Sequence, residues 1–464
     1  MRNRLRYLAL LLAVAFAVWG QTASITGGWE GVLAASNGDL HLRIHIAPGA
    51  NGKLAATFDS VDQGAFGIPL SGVSFVNGVL QWKVPGANAS FMGVLNDAGT
   101  EISGMFEQGA SVPLTLKRLS KEQEQPARPQ DPKPPLPYKT EEVTFPSKAA
   151  GVKLAGTLTI PEGAGPFPAA ILLPGSGPHN RDEAIFGHKT FLVLADYLTR
   201  HGIAVLRFDK RGLDAPPAEF QKITEPDLSQ DAEGAFDYLK AHARIDGRST
   251  GLIGHSEGGS IAAIVAARRQ DIAFAVLLAA PGVPLPELLA LQARKLGAAG
   301  GSPPDTIEAN AKIQDKVFQA LAGEKDAAAA RAKIEKILGG GAQAEAEAAQ
   351  DTSPWFRSSL AYDPAATLAK VKCPVLALDG ELDLQVPATQ NLPPIEAALK
   401  QGGNKDYRVT VLPKLNHLFQ TAKTGAIGEY GQIDETFAPA ALDEIANWIH
   451  KHAGKTAEPA ASEH

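Results

Sequence analysis

Ser256 lies between glycines in the stretch GLIGHSEGGS, residues 251–260. A short apolar segment precedes the serine, and the helical pattern SIAAIVAARR follows it. A sharp turn from strand to helix needs small residues around the serine, because a β-carbon at Gly254 or Gly258 would clash where the chain doubles back. The spacing Gly-x-Ser-x-Gly in this setting predicts that Ser256 is a nucleophile.

A serine hydroxyl is a weak nucleophile unless a histidine takes its proton and an acid orients that histidine. For a serine on such a turn, the acid comes next along the chain and the histidine last. His417, in LPKLNHLFQ after a predicted final strand, is therefore the predicted base. The other histidines beyond the candidate acids fall in the closing helix or the tail: His450, His452 and His464.

The segment LALDGELDLQVP offers three candidate acids, Asp379, Glu381 and Asp383. Asp379 is expected to turn the chain at a strand end, whereas Asp383 lies further out in the loop and is the favoured partner of His417. Glu381 and Asp379 remain alternatives. In the favoured assignment Ser256 attacks an acyl carbon, His417 takes and returns the proton, and Asp383 fixes the histidine tautomer.

Backbone N–H groups are predicted to hold the negative oxygen that forms during acyl transfer. The N–H of Glu257 opens the helix after the serine, where helix N–H groups lack partners. A second donor is predicted from the loop PGSG, in which Gly175 and Gly177 let the backbone approach a substrate and Ser176 supplies the N–H. The alternative is an ordinary glycine-rich turn, and the sequence does not decide which N–H faces the site.

From about residue 139 to 455, apolar strand segments alternate with helical patterns, which predicts a mostly parallel sheet with helices on both faces. The alternation stops between about 282 and 363, where an Ala-, Glu- and Lys-rich helical stretch is predicted to form a lid. Trp355 in this insertion is a candidate substrate contact, together with the apolar Leu288, Leu289 and Leu291. His179, in PHNRDE, is a candidate for orienting a polar substrate group, although a structural salt-bridge cluster is the favoured interpretation.

Residues 24–119 show a different pattern. In DLHLRIHIA, leucine and isoleucine alternate with polar residues, as in a half-buried strand, and Asn-Gly pairs mark turns. About eight antiparallel strands in a small barrel or sandwich are expected. The proline-rich residues 120–138 are predicted to be a semi-rigid linker, and residues 456–464 a disordered tail.

The first 23 residues place three arginines before an apolar run that ends near Trp19. This pattern is typical of a secretory signal peptide and is too short for a comfortable membrane span, so a secreted or periplasmic protein is expected. An uncleaved N-terminal anchor is the alternative.

A net charge of −6 gives no basic surface for nucleic acid. Cys373 is the single cysteine, which excludes intramolecular disulfides, and no metal or cofactor motif is found, so neither is expected.

Together the motifs LLPGSGPHNRDE, RFDKRG, GHSEGG, PVLALDGELDLQVP and LNHLFQTAKTG resemble α/β-hydrolase-fold serine hydrolases, in particular secreted bacterial carboxylesterases of the EstD type. The resemblance covers about residues 140–455 and extends to the serine aminopeptidase-like branch. It implies hydrolysis of small carboxylic esters, with Ser256, Asp383 and His417 at the triad positions. The alternatives are a serine peptidase on short peptides and, from another class, a binding protein on an inactive scaffold. The β domain ahead of the hydrolase is a candidate module for an envelope or carbohydrate ligand.

Overall fold

The computed structural model describes residues 25–35, 38–49, 52–60, 65–85, 89–120 and 128–453. The chain divides into two compact units, Met1–Ala127 and Arg128–His464. The predicted signal peptide, the tail 456–464 and most of the first half of the predicted linker lie outside the described residues. No helix among the residues described is long and apolar enough to cross a bilayer.

The first unit contains one antiparallel sheet in the order β4-β3-β2-β1-β9-β8-β7-β6-β5. Its nine strands are β1 Gly27–Ala35, β2 Gly38–Pro48, β3 Leu54–Ser60, β4 Ala65–Pro69, β5 Ser71–Val76, β6 Val79–Val84, β7 Ala89–Leu95, β8 Glu101–Gln108 and β9 Ala110–Arg118. The expected all-β domain is confirmed, with one strand more than the approximate number predicted.

Alternation along the strands builds the core of this unit. Leu42, Ile44 and Ile46 of β2 are buried, while the residues between them are more exposed, as the period of two predicts. They join one core with Trp29 and with Trp82, whose ring stacks on Phe91 at a centroid distance of 5.3 Å.

The second unit is built on an eight-stranded sheet in the order β10-β11-β15-β12-β16-β17-β18-β19. The first two strands are antiparallel to their neighbours, and the six from β15 to β19 are parallel. The strands of this unit, including the separate hairpin β13–β14, are β10 Tyr138–Pro146, β11 Lys153–Pro161, β12 Phe167–Leu173, β13 Ala184–Ile185, β14 His188–Lys189, β15 Ala204–Phe208, β16 Ile245–His255, β17 Ala275–Leu278, β18 Val375–Gly380 and β19 Tyr407–Leu412.

Helices cover both faces of this sheet. Residues 169, 171 and 173 of β12 enter one apolar core and residues 170 and 172 the other, which explains why the strand is apolar throughout. The described helices are α1 Thr190–Arg200, α2 Pro217–Phe220, α3 Glu225–Ala241, α4 Glu257–Arg268, α5 Leu285–Ala299, α6 Pro304–Gly323, α7 Ala327–Ile337, α8 Ala342–Asp351, α9 Pro354–Ala361, α10 Pro364–Leu368, α11 Ala388–Gln401, α12 Ile427–Tyr430 and α13 Pro439–His452.

The α/β-hydrolase fold with a helical insertion is confirmed, since helices α5 to α10 stand between strands β17 and β18. One boundary differs from the expectation. Arg128 donates to the carbonyls of Gly431 and Ile433 at 3.0 Å, and Gln130 donates to the carbonyl of Phe437 at 2.7 Å. The end of the predicted linker thus belongs to the second unit, because its side chains supply donors to carbonyls of a distant loop.

Candidate active site

Ser256 occupies the turn between strand β16 and helix α4, with φ 53° and ψ −120°. Its N–H donates to the carbonyl of Leu278 at 2.8 Å, which fixes the turn against the neighbouring strand. A β-carbon at Gly254 would lie 2.0 Å from the carbonyl oxygen of Gly258, and one at Gly258 would lie 1.9 Å from that of Leu173. The predicted need for glycine on both sides of the serine is therefore confirmed.

His417 follows strand β19 and is buried, with its Nδ1 2.6 Å from Oδ2 of Asp383. The other oxygen of this carboxylate accepts the N–H groups of Gln385 at 2.7 Å and Val386 at 2.8 Å. Both oxygens of Asp383 therefore have hydrogen-bond donors, and the ring of His417 is oriented by a fixed partner.

The other two candidate acids have different surroundings. Glu381 is exposed and accepts the N–H of Lys414 at 2.9 Å. Asp379 is completely buried, and its Oδ1 accepts the N–H of Gly380 at 2.8 Å, as a residue that turns the chain would. Burial and then the nearby Asp383 raise the pKa of Asp379 well above its ordinary value. Among the three, Asp383 is the carboxylate bonded to His417.

A cavity of about 980 Å³ has both Ser256 and His417 in its wall. The lid insertion contributes Trp355 and apolar side chains that include Leu288, Leu289, Val317, Phe318 and Phe356. Leu291 is not among the described residues of this wall. Within the part of the chain described, the hydroxyl of Ser256 makes no hydrogen bond to His417, and catalytic hydrogen bonds are often formed only when substrate is bound.

In the loop after strand β12, some backbone groups have hydrogen-bond partners and others do not. The N–H of Gly175 donates to Oε1 of Glu183 at 2.8 Å, and His179 Nε2 lies 2.7 Å from the carbonyl oxygen of Ser176. The N–H groups of Ser176 and Glu257 donate to no other described residue, and both residues line the cavity. The structure thus brings the two predicted oxyanion donors to one cavity, whereas Gly175, Gly177 and His179 are not among its described lining.

Two charged groups behind the nucleophile were not predicted to meet there. The ring of His255 is buried between Glu183, 2.9 Å from its Nδ1, and the carbonyl of His417, 3.0 Å from its Nε2. Burial opposes the charged form of His255, but the pKa is raised overall because Glu183 lies beside it; the pKa of Glu183 is lowered despite its own burial, through His255. Both ring nitrogens of His255 therefore face acceptors, and the ring holds the backbone of His417 in place.

A second unpredicted group is Lys210, which RFDKRG places after strand β15. Its Nζ donates to the carbonyl of Gly175 at 2.6 Å and to Oε2 of Glu257 at 2.7 Å. Oε1 of Glu257 accepts from the indole of Trp355 at 2.6 Å. Lys210 thus joins the loop after β12 to the first residue of helix α4, and Trp355 attaches the insertion to the same carboxylate.

The salt-bridge interpretation of PHNRDE is confirmed for two of its residues. Arg181 binds Asp209 and Glu142, each at 2.6 Å, and Asp182 pairs with Arg207. The sequence predicted that these residues form one cluster. It did not predict that Glu183 is buried and bonds to His255 instead, because nothing in the sequence distinguishes this carboxylate from its neighbour Asp182.

Among the residues that the structure describes, no group of three His, Cys, Asp or Glu side chains has an arrangement able to hold a metal ion.

Residues 170–424, more than half of the chain, match the family model described as the Alpha/beta hydrolase family. Esterase EstD of Thermotoga maritima is 30% identical over 306 residues, which cover 64% of this chain and 66% of that protein, so the chain spans just under two thirds of its relative's length. Solved structures with a similar fold include an esterase of Pyrococcus furiosus, with 15% identity, a TM-score of 0.44 and coverage of 69% of this chain and 93% of that one. A proline iminopeptidase of Mycobacterium smegmatis has 19% identity, a TM-score of 0.42 and coverage of 68% and 99%. The chain belongs to the alpha/beta hydrolase family.

Proposed function

We propose that this protein is a serine hydrolase of carboxylic esters with short to medium acyl groups. The observation that carries the proposal is the 2.6 Å hydrogen bond between His417 and Asp383 beside a cavity that also exposes Ser256 on a strand-to-helix turn. The relative from Thermotoga maritima, named an esterase, supports the same class of reaction.

In the proposed reaction the hydroxyl oxygen of Ser256 attacks the acyl carbon while His417 Nε2 takes its proton. Asp383 stabilises the resulting imidazolium, and the N–H groups of Ser176 and Glu257 bind the oxyanion. The intermediate collapses when His417 returns the proton to the departing alcohol, which leaves an acyl-enzyme. Water, deprotonated by His417, then releases the carboxylic acid and regenerates the serine.

The proposal is tested with p-nitrophenyl esters of increasing acyl length and with the matching aminoacyl and dipeptide p-nitroanilides. Esters are expected to react and anilides to react far more slowly, because an apolar cavity next to Ser256 accepts the acyl chain. A fluorophosphonate should label one site, and peptide mapping should place the label on Ser256. Turnover of esters without labelling of Ser256 would contradict the mechanism, and inertness towards every substrate would favour the binding-protein alternative.

A peptidase acting from the amino end is the second candidate, and the charge of the cavity favours considering it. Four carboxylates line the cavity, and no lysine or arginine is among its described lining residues; the four are Glu225, Glu257, Glu347 and Asp351. Glu257 is paired with Lys210, so the other three supply the negative charge. A substrate ammonium would find a favourable potential there. Preference for anilides over esters in the same panel would select this candidate.

The same charges predict that a cationic ester binds better than its neutral isostere. Burial, and then Glu347, raises the pKa of Asp351 to about 6, so this carboxyl is neutral below that pH and charged above it. At pH 7.5 we expect KM for butyrylcholine to be about 5-fold lower than for 3,3-dimethylbutyl butyrate, the effect of about 1 kcal/mol between charges a few Å apart. This advantage of the cationic ester should shrink at pH 5, where the carboxyl of Asp351 is neutral, as measured by steady-state kinetics on both esters.

Asp351→Asn is the matched variant for this prediction. It keeps the shape of the side chain but removes the charge, so the pH dependence of the KM ratio should shrink while kcat for the neutral ester stays within about 2-fold. Equal KM values for the two esters across this pH range would show that the acidic wall does not act on substrate charge.

Export of the protein and ligand binding by its first unit stay predictions from the sequence. The residues that suggest a signal peptide lie outside the described part of the chain, and the first unit is a compact module in which no ligand site has been identified among the described residues.

A further inference from the structure

In the loop that carries Ser176, three backbone groups next to the N–H of this residue have side-chain partners. The N–H of Gly175 is bound by Glu183, the carbonyl of Gly175 by Lys210, and the carbonyl of Ser176 by His179. The N–H of Ser176 remains without a partner among the described residues. Three side chains therefore hold three consecutive peptide groups, and the N–H of Ser176, a residue that lines the cavity, is left for a ligand.

The carbonyl of Gly175 and the N–H of Ser176 belong to the same peptide group. This peptide is trans, so its C=O and its N–H point in opposite directions in one plane. Whatever fixes the carbonyl oxygen also fixes the direction of the N–H. Lys210 does so with its Nζ 2.6 Å from the oxygen, and it is not among the described residues that line the cavity.

Lys210 is a costly residue to place here, which argues against an incidental contact. Its side chain is 4% exposed, and removing an ammonium from water is unfavourable unless its hydrogens are bound. Two of them meet the Gly175 carbonyl and Glu257, while the Phe220 ring centroid lies 5.9 Å from Nζ. A neutral core residue would fill this space without the desolvation cost but would leave the carbonyl of Gly175 without its donor.

We propose that Lys210 is a positioning residue of the oxyanion hole. Its ammonium holds the Gly175 carbonyl so that the N–H of Ser176 faces the reacting acyl group, and it polarises that peptide so that the N–H is a stronger donor. Through the carboxylate of Glu257 it fixes the residue whose N–H is the second donor. This inference depends on the proposed ester hydrolysis. In it, Lys210 stabilises the oxyanion indirectly, through the peptide groups that it holds, and does not touch the substrate.

The first test is Lys210→Met in the full-length protein, with Lys240→Met as the matched control. Lys240 also pairs with a carboxylate, Asp271 at 2.8 Å, but on an exposed surface. Loss of one oxyanion donor lowers kcat by roughly 100- to 1000-fold, so loss of its support is expected to lower kcat by about 10- to 100-fold. KM should change less than about 3-fold, because the contact strengthens only when the oxyanion forms. Lys240→Met should match the wild type.

A transition-state analogue separates positioning from general damage. An alkyl boronic acid forms a tetrahedral adduct on the serine, with an oxygen in the oxyanion hole, whereas the product carboxylic acid does not. Lys210→Met should weaken boronate inhibition by about the same factor by which kcat falls, and product inhibition should hardly change. Equal weakening of both would show a merely structural role for Lys210.

The unpaired Glu257 left by Lys210→Met is the main complication, and a second pair of variants removes it. Glu257→Gln and Lys210→Met/Glu257→Gln both lack the carboxylate, and they differ in whether the Gly175 carbonyl has its donor. The double variant should have at least about 10-fold lower kcat than Glu257→Gln at similar thermal stability. Equal kcat values in this pair would overturn the inference while ester turnover by the wild type would still support the proposed function; a wild type without ester turnover would remove the proposed function itself.

Discussion

Ser256→Ala, His417→Ala and the double variant are expected to lower kcat for a p-nitrophenyl ester by about the same factor, roughly 10⁶-fold. In the proposed mechanism the serine attacks only as its proton leaves for the histidine, so removal of either group abolishes the same step. The second substitution should therefore cause no further loss of kcat. Independent contributions would instead multiply, and the double variant would be far slower than either single one.

The measurement is single-turnover and steady-state kinetics on variants purified free of wild-type enzyme. His450→Ala is the matched histidine control, because His450 also follows the candidate acids along the chain but is exposed on helix α13. It should retain full activity. A His417→Ala enzyme with more than about 1% of the wild-type kcat would show that another group is the base.

The elements that carry chemistry could be predicted because their signals are local. Gly254 and Gly258 surround Ser256 within five residues, and the clash that requires them arises between neighbouring turns of the same segment. The parallel sheet could be predicted from the alternation of strand and helix segments, because strands covered on both faces are apolar throughout. His417 and Asp383 followed from their order along the chain and from their position in loops after strands.

The supporting contacts could not be predicted, because each joins segments that only the fold brings together. His255 contacts the carbonyl of His417, 162 residues further along the chain, and Lys210 contacts Glu257 from 47 residues away. In the sequence Lys210 and Glu183 belong to RFDKRG and PHNRDE, polar motifs typical of loops. Arg128 and Gln130 were assigned to a linker for a similar reason, since composition near the prolines gave no sign of their distant carbonyl partners.

The choice among the three candidate acids needed both the sequence and the structure. Asp379, Glu381 and Asp383 lie within five residues, and their order favoured Asp383 without excluding the others. The structure separates them by their partners, because Glu381 accepts a surface N–H and Asp379 a neighbouring one, while Asp383 accepts from His417. Kinetics on the three amide variants therefore tests the sequence argument and the structure together.

Asp383→Asn is expected to lower kcat by about 10⁴-fold, the size of effect known when a triad acid in a serine protease becomes its amide. Oδ1 of Asp383 accepts two backbone N–H groups, from Gln385 and Val386, so the amide oxygen of asparagine must remain on that side. Its NH₂ group then faces Nδ1 of His417, which has to accept rather than donate. The proton moves to Nε2, and the ring loses the lone pair that would take the proton of Ser256.

Glu381→Gln and Asp379→Asn make the same chemical change at the neighbouring acids, and both should keep kcat within about 3-fold. Glu381 is exposed and bound to a backbone N–H of another loop. Burial and the nearby Asp383 raise the pKa of Asp379 well above its ordinary value, which favours the neutral carboxyl, and an amide is neutral as well. A pH-rate profile completes the measurement, since a histidine in the wrong tautomer is not restored by raising the pH. If Asp379→Asn rather than Asp383→Asn were the slow variant, the carboxylate that serves His417 during turnover would be Asp379, and the loop would have to rearrange when substrate binds.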